Sequence, residues 1–414
     1  SGLRLFDTDA FTAAIDTRYE TVDENELRFI TSYSTASFES RNEQPDNLFF
    51  DFTEDIFNKD ILYNFGDTDD MFSGLIGATY SRREQDIKID NIFPPFIPPG
   101  VAQLTADGTE ETYSIFADLR YQLTDQLDLL FGGRVLHEEE ERTTFTNLLS
   151  VPPLFVAPAT QIFNESETVA LPLIGIQYSM DTENTFFLTA REGFNSGGAA
   201  INFATGMPYT FESERVWTYE ATYRYVSQDQ TVSFGATAFF NEYDNPQFFV
   251  ETVPGNRFTI QVENLDESRT YGLELDGKVT LGEELSIFGS LGLLETEITE
   301  ASINPALVGN SIGRDPNVTA SAGFVWSPAV APGWSFDGKV TYVGPFFNDF
   351  TNLATQDIGD YTLVDLGVTF EHNGFEGRVF ARNITDEVGV TARVGTFAEV
   401  TPPQTFGVSV TGRF

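Results

Sequence analysis

His137 and His372 are the only histidines in the sequence, so they set the ceiling on acid–base and metal chemistry. His137 opens the run His137-Glu138-Glu139-Glu140-Glu141, whose residue types suit a metal ion. On a strand, however, successive side chains point to opposite faces, so the run cannot gather ligands as two histidines one helical turn apart would. No second histidine lies nearby, and the run reads as a strand leaving a membrane for solvent. Asp67-Thr68-Asp69-Asp70 has the acidic spacing of a calcium loop but lacks its internal glycine and distal glutamate, so a solvated turn is expected. Ser-His-Asp catalysis needs a histidine beside a serine in a nucleophile elbow; no serine has that context, and His372 sits in a tight turn. Paired carboxylates carry no signal, because with 63 Asp+Glu any spacing occurs by number alone. Cysteine is absent, which removes thiolate and disulfide chemistry and is compatible with either redox compartment. No catalytic residue, cofactor or metal ligand is expected, and the chain does not read as an enzyme.

The elements that carry these residues come from composition and pattern. With 23 Lys+Arg against 63 Asp+Glu in 414 residues the formal charge is −40, which excludes a nucleic-acid partner bound by phosphate neutralisation. A hydrophobic share of 41% with 40 Phe is too apolar and aromatic for a disordered acidic chain. The longest uncharged stretches, Thr143–Asn164 and Pro316–Phe336, are broken by prolines and polar residues, so any membrane crossing must be made by strands. Ser1 to Ala10 have no basic start and no apolar core, so no signal peptide is read there.

Period-2 alternation dominates, in segments of about 10 residues, the length of a tilted membrane-crossing strand. Trp217, Tyr219, Ala221, Tyr223 and Tyr225 alternate with Thr218, Glu220, Thr222 and Arg224. Tyr113, Ile115, Ala117, Leu119 and Tyr121 alternate with Ser114, Asp118 and Arg120, with Phe116 the exception on the polar face. Short polar turns, such as 124–126, 227–230, 282–284 and 372–374, take turns with long irregular segments near 87–107, 146–165, 197–211, 245–266, 300–315, 347–359 and 384–403. Tight hairpins at one end and long loops at the other describe an outer-membrane barrel rather than a soluble sandwich or propeller.

The candidate strands fall near 11–20, 26–38, 57–65, 70–87, 109–123, 126–144, 166–180, 184–196, 213–226 and 229–244. The rest fall near 267–281, 284–299, 317–327, 334–346, 360–371, 374–383 and 404–414. Bacterial single-chain barrels have an even strand number, so this odd count suggests a missing N-terminal part. At the end of the chain Phe406, Val408, Val410, Gly412 and Phe414 share one face. A terminal aromatic closing an alternating strand resembles the signal by which barrels are handed to their assembly machinery.

Several runs, in order, resemble the barrel of TonB-dependent outer-membrane receptors, the iron-complex class in particular. Arg191-Glu192-Gly193-Phe194-Asn195-Ser196-Gly197-Gly198 is similar to a strand-end motif that usually has Lys where Asn195 stands. Glu212 to Glu220, Phe239 to Gln247 and Ser268-Arg269-Thr270-Tyr271-Gly272-Leu273-Glu274-Leu275 resemble three further strands of the family. Arg382-Asn383-Ile384-Thr385-Asp386-Glu387 is similar to its Asn-Leu-Thr-Asp-Glu turn. The resemblance implies an all-β, transmembrane antiparallel β-barrel over residues 1–414 with about 16–17 of 22 strands present, the N-terminal plug and first strands being absent.

The resemblance also implies an outer-membrane receptor of a Gram-negative bacterium that imports a scarce ligand, a ferric siderophore or other iron complex, energised by TonB acting on the plug. Its other partners are outer-membrane lipid, lipopolysaccharide and the barrel-assembly machinery. An importer of oligosaccharide, cobalamin or another large nutrient, and a passive porin-like channel, are the alternatives. Ligand-contact candidates are Arg191, Phe194, Asn195, Arg215, Arg224, Arg269, Phe346, Phe347 and Asn348, and the assembly signal is Phe406, Val408, Val410 and Phe414. The four arginines are the basic patch that an anionic chelate would need in so acidic a chain. Loop aromatics, among them Phe93, Phe96, Phe155, Phe163, Phe203, Phe248, Phe249 and Phe350, are read either as girdle and loop packing or as walls of a ligand vestibule.

Overall fold

The computed structural model describes residues 4–21, 25–42, 49–67, 69–90, 102–148, 158–202, 207–251, 260–302, 304–394 and 397–412. They form strands β1 (Arg4–Glu20), β2 (Glu26–Asn42), β3 (Phe49–Phe65), β4 (Phe72–Asp90), β5 (Ala102–Thr124), β6 (Leu127–Leu148), β7 (Ala159–Ser179) and β8 (Asn184–Asn195). Next come β9 (Gly198–Asn202), β10 (Met207–Phe211), β11 (Glu214–Val226), β12 (Val232–Asp244), β13 (Gln247–Glu251), β14 (Ile260–Asn264), β15 (Glu267–Leu281) and β16 (Leu285–Glu300). The chain continues through β17 (Val318–Trp326), β18 (Trp334–Val343), β19 (Phe346–Phe347), β20 (Asp357–Ile358), β21 (Tyr361–His372), β22 (Phe375–Arg382), β23 (Val390–Val394), β24 (Phe397–Val400) and β25 (Thr405–Gly412).

One 17-stranded antiparallel sheet takes β1–β8, β11, β12, β15–β18, β21, β22 and β25, each paired with its neighbours in that order. Every wall strand corresponds to one expected segment. Among the described residues β1 pairs only with β2 and β25 only with β22, so the sheet has two open edges and is not closed on itself. Short turns need residues that accept left-handed backbone, and the tightest, between β21 and β22, has them in Asn373 (φ 47°) and Gly374 (φ 82°). That Asn-Gly pair builds the mirror-image turn whose twist matches the flanking strands.

Register sorts the side chains into two faces. Tyr219 lies opposite Phe240, and Phe240 opposite Tyr271, so these rings share the outward row with Ala238, Leu273 and Leu275. The outward row of β12 runs from Val232 to Phe240, which matches the roughly 9–11 residues a tilted strand needs to cross hydrocarbon. Aromatic pairs fringe it at both ends: Phe240–Tyr271 at 6.3 Å towards the long loops, Phe186–Tyr223 at 4.8 Å and Trp334–Phe370 at 4.8 Å towards the short turns. The inward rows are polar ladders. Thr222 bonds Thr237 at 3.0 Å, Asn241 donates to Thr270 at 2.9 Å, and Arg378 pairs with Asp337 at 2.8 Å.

Phe116 has a physical reason for standing on the polar face. It lies opposite Gly77, and its ring occupies the space that a side chain on Gly77 would need. The guanidinium of Arg134 sits over the same ring, 4.9 Å from its centroid.

Two expectations need correction. Strands towards the N-terminus run well past the segments read from alternation: β3 begins at Phe49 instead of 57, and β5 begins at Ala102 instead of 109. Beyond the lipid both faces are wet, so hydrophobic alternation fades while backbone pairing continues. The long connections are also not wholly irregular, since β9/β10, β13/β14, β19/β20 and β23/β24 are small hairpins within them.

Candidate functional site

All four small hairpins lie at the long-loop end, where they interlock into a crown over the sheet. Its apolar centre is Leu265, Ile298, Ala301, Leu307 and Phe350, with Phe248 and Val250 packed against it. Leu265, Leu307 and Phe350 come from three separate connections and Ile298 from the end of β16, so burial of their apolar surface ties the loops to one another and to the wall. Phe248 and Phe350 meet at 5.5 Å and serve loop packing, whereas Phe249 is 77% exposed. Phe163 is buried on β7. Phe93, Phe96, Phe155 and Phe203 lie outside the described residues.

Amides fasten the crown. The Gln247 side chain donates to the carbonyls of Ser196 (2.8 Å) and Glu212 (2.9 Å), and its oxygen accepts from Asn195 (3.0 Å). Asn264 donates to the carbonyls of Glu212 (3.0 Å) and Asn245 (2.8 Å). Asn348 is buried; its amide donates to the Arg393 carbonyl at 2.9 Å and its oxygen accepts the Arg393 N–H at 2.7 Å. This side chain thereby pairs with a backbone 45 residues away as a strand would. Phe346 is buried beside it, and Phe347 is half-buried with its carbonyl accepting from the Arg314 N–H at 2.6 Å.

The nine ligand-contact candidates therefore do not form one cluster. Asn195 and Phe346–Asn348 belong to the crown. Arg191 is inward, opposite Thr218, and pairs with Glu220 at 3.4 Å. Arg224 is also inward but near the short-turn end, with its guanidinium 5.5 Å from the Phe187 ring centroid. Arg215, at the long-loop end of β11, lies opposite Phe194 and pairs with Glu192 (3.2 Å) and Glu167 (3.6 Å). Arg269 lies opposite Glu242 in the row of Tyr271 and Leu273, which faces outward, and its Nε donates to Glu297 at 3.0 Å. It is a rim residue of the outer face and does not point into the lumen.

His137 is an outward-row residue held by Thr168 (2.7 Å) and Glu139 (3.1 Å), in keeping with a strand leaving the membrane. Phe406, Val408 and Val410 form the outward row of the edge strand β25 and are 67–74% exposed, while Phe414 lies outside the described residues.

Sequence reasoning passed over three crown residues, Arg314, Asp315 and Arg393. Burial pushes the Asp315 carboxyl up to about 6, against a hydrogen bond from Thr296, and its Oδ2 has no partner among the described residues. An unfolded aspartate titrates near 3.8, so between these values the folded chain binds more protons. Stability from this group is therefore present at low pH and lost as pH rises through about 6. Asp315→Asn is expected to stabilise the protein at pH 8 by on the order of 1 kcal/mol, discounted for partial exposure, and to change little at pH 3, below both values. Thermal melting in detergent at both pH values checks this; an equal shift at both would contradict it.

Residues 2–392 match the family model described as TonB dependent receptor-like, beta-barrel. The chain belongs to the TonB-dependent receptor β-barrel family. A barrel of this family resides in the outer membrane of a Gram-negative bacterium. Its fold is similar to the ferric yersiniabactin uptake receptor FyuA of Yersinia pestis, with 18% identity and a TM-score of 0.82 over 99% of this chain and 61% of that one. It is also similar to the ferric-catecholate import receptor Fiu of E. coli K12 (15% identity, TM-score 0.77, 99% and 64% coverage). The siderophore receptor PiuA of Acinetobacter baumannii matches at 15% identity and a TM-score of 0.76, with 98% and 64% coverage. The chain thus spans less than two thirds of the length of these three receptors.

The asymmetry of short and long connections predicts that the TonB-dependent receptor barrel sits with its crown outward and its short turns to the periplasm. A tag inserted at Val308, in an exposed crown turn, is expected to be labelled on intact cells, and one at Gln228 only after the outer membrane is breached. The opposite pattern would reverse the assignment.

Proposed function

We propose that this chain is the wall and ligand-gripping crown of a TonB-energised outer-membrane importer whose cargo is a ferric siderophore or other iron complex. The observation that carries the reading is the family match together with a crown fastened by side-chain amides above a polar-lined wall. Fastened loops hold a binding surface in one shape, which reduces the ordering cost of capturing a dilute ligand. The resembled structures are named for ferric yersiniabactin, ferric catecholate and siderophore uptake, which favours iron complexes over oligosaccharide or cobalamin.

In this reading two unpaired edges cannot remain in hydrocarbon, because each exposes a row of backbone polar groups. Further strands close the wall, and a plug inside it is the part that TonB pulls to open a path. The outward residues Phe406, Val408 and Val410, with Phe414, present the last strand to the assembly machinery, and the aromatic-fringed face meets lipid and lipopolysaccharide. The working residues bind and release a ligand, and no catalytic step is assigned to them.

Iron-limited growth tests the cargo. A strain lacking the gene is expected to lose growth on one or more ferric chelates and to regain it with the gene restored, with maltodextrin and cobalamin use unchanged. Loss confined to maltodextrin or cobalamin would overturn the iron assignment.

A further inference from the structure

We propose that the connection 327–333 between β17 and β18 is a lipid anchor, whose apolar tip lies in the phospholipid headgroup layer at the short-turn end of the wall. The proposal rests on the outer-membrane placement of the barrel and is independent of its cargo.

The connections at this end differ in chemistry. Those at 67–71, 125–126, 180–183, 227–231 and 282–284 each carry at least one carboxylate and no Lys or Arg. A net-anionic phospholipid surface repels them, and at ordinary salt the repulsion reaches about 10 Å. The connection 327–333 reads Ser-Pro-Ala-Val-Ala-Pro-Gly and lies inside the uncharged stretch 316–336. It approaches lipid without that penalty.

Its flanks already stand at the lipid boundary. Two of the three tryptophans of the chain, Trp326 and Trp334, sit at the two ends of the connection. Trp326 lies opposite Leu285 and Trp334 opposite Phe370, in the outward row. Their rings meet Phe336 at 5.5 Å and Phe370 at 4.8 Å. Indole rings favour the headgroup level, where the ring is in an apolar setting and its N–H stays wet. The apolar surface then continues off the wall. Pro328 is buried at the base of the turn, Ala329 and Pro332 are exposed, and Val330 is 93% exposed. A valine exposed singly needs no explanation, but one continuous with four outward aromatic rings extends a lipid-facing patch.

The backbone suits a partly dry place. Ala331 donates its N–H to the Pro328 carbonyl at 3.0 Å, and Trp334 donates to the Ala331 carbonyl at 3.1 Å. The Gly333 carbonyl accepts the Glu371 N–H at 2.8 Å. Pro328 and Pro332 have no N–H to leave unpaired. Each unpaired backbone group taken from water costs free energy, so these bonds and the two prolines lower the cost of entering the interface. Gly333 has φ +84°, and a Cβ there would collide with the Glu371 carbonyl oxygen, so the close approach that seats the turn against β21 requires glycine.

The test places one fluorophore sensitive to its surroundings on Val330→Cys, on Gln228→Cys in the turn between β11 and β12, or on Val340→Cys in the outward row of β18. None of the 414 residues is cysteine, so no native thiol among them competes for the label. The purified full-length receptor is reconstituted in vesicles of phosphatidylethanolamine and phosphatidylglycerol, with and without lipid brominated on its acyl chains. An apolar element at the interface reaches about 5–10 Å into the headgroup boundary, so brominated lipid is expected to quench the Val330 label by roughly half. The Gln228 label should lose little, and the Val340 label should be quenched as a lipid-facing wall residue. Quenching at Val340 with none at Val330, or equal quenching at Val330 and Gln228, would overturn the anchor while leaving the barrel in the membrane. Absence of quenching at Val340 would remove the membrane placement and the anchor with it. A Val330 label untouched by brominated lipid in vesicles but shielded in whole cells would overturn the anchor in favour of a periplasmic protein.

Discussion

Leu275→Arg is expected to remove most of the folded protein from the outer membrane, whereas Glu274→Arg, one residue away, leaves it in place. Leu275 lies opposite Ala236 and Leu291 in the outward row, midway between Tyr271 at the upper aromatic fringe and Val279 below. An arginine on the lipid face near the midplane costs about 2–4 kcal/mol, because neither water nor a partner reaches it there. Glu274 lies opposite Thr237 and Gly292 on the inward face, where a guanidinium stays solvated. Heat-modifiable mobility of outer-membrane fractions reads the difference. Equal loss for both variants would contradict the assignment of faces, and equal retention would contradict the membrane itself.

That contrast also marks where the fold was legible in the sequence. Within the lipid the rule is simple: one face greasy, one wet, and a turn at each end. Strands such as β11, β12 and β15 obey it along most of their length, so their register and faces follow from the residues alone. Phe116 breaks the rule only because Gly77 on the next strand leaves a space for its ring, a pairing that depends on the register between strands. The first strands overrun the expected boundaries for a related reason: Asp51, Thr53 and Asp55 of β3 lie past the lipid, so a strand continues there without apolar alternation.

The crown was much less legible. Asn348 and Arg393 are 45 residues apart, and the Asn310 amide reaches the Phe350 carbonyl 40 residues away. No local period encodes such contacts, and amide-to-backbone bonds carry no hydrophobic signature. The basic patch expected of Arg191, Arg215, Arg224 and Arg269 was drawn from strand positions, yet three of the four face a carboxylate and the fourth rests on an aromatic ring.

The central claim is energised import through this wall, and its mechanism separates two steps. In the proposed reading the ligand is bound at the crown, whose loops are fastened whether or not energy is supplied. In that reading passage needs work on a plug, because bound ligand at the outer face has no reason to release inward without it. The most direct measurement is therefore the fate of radiolabelled ferric complex on cells producing the protein, with TonB present, with TonB deleted, and with the proton gradient collapsed. Surface binding should persist in all three, while saturable intracellular accumulation should fall to background in the last two. Accumulation that continues unchanged without TonB and rises linearly with external concentration would contradict the account and establish a passive channel.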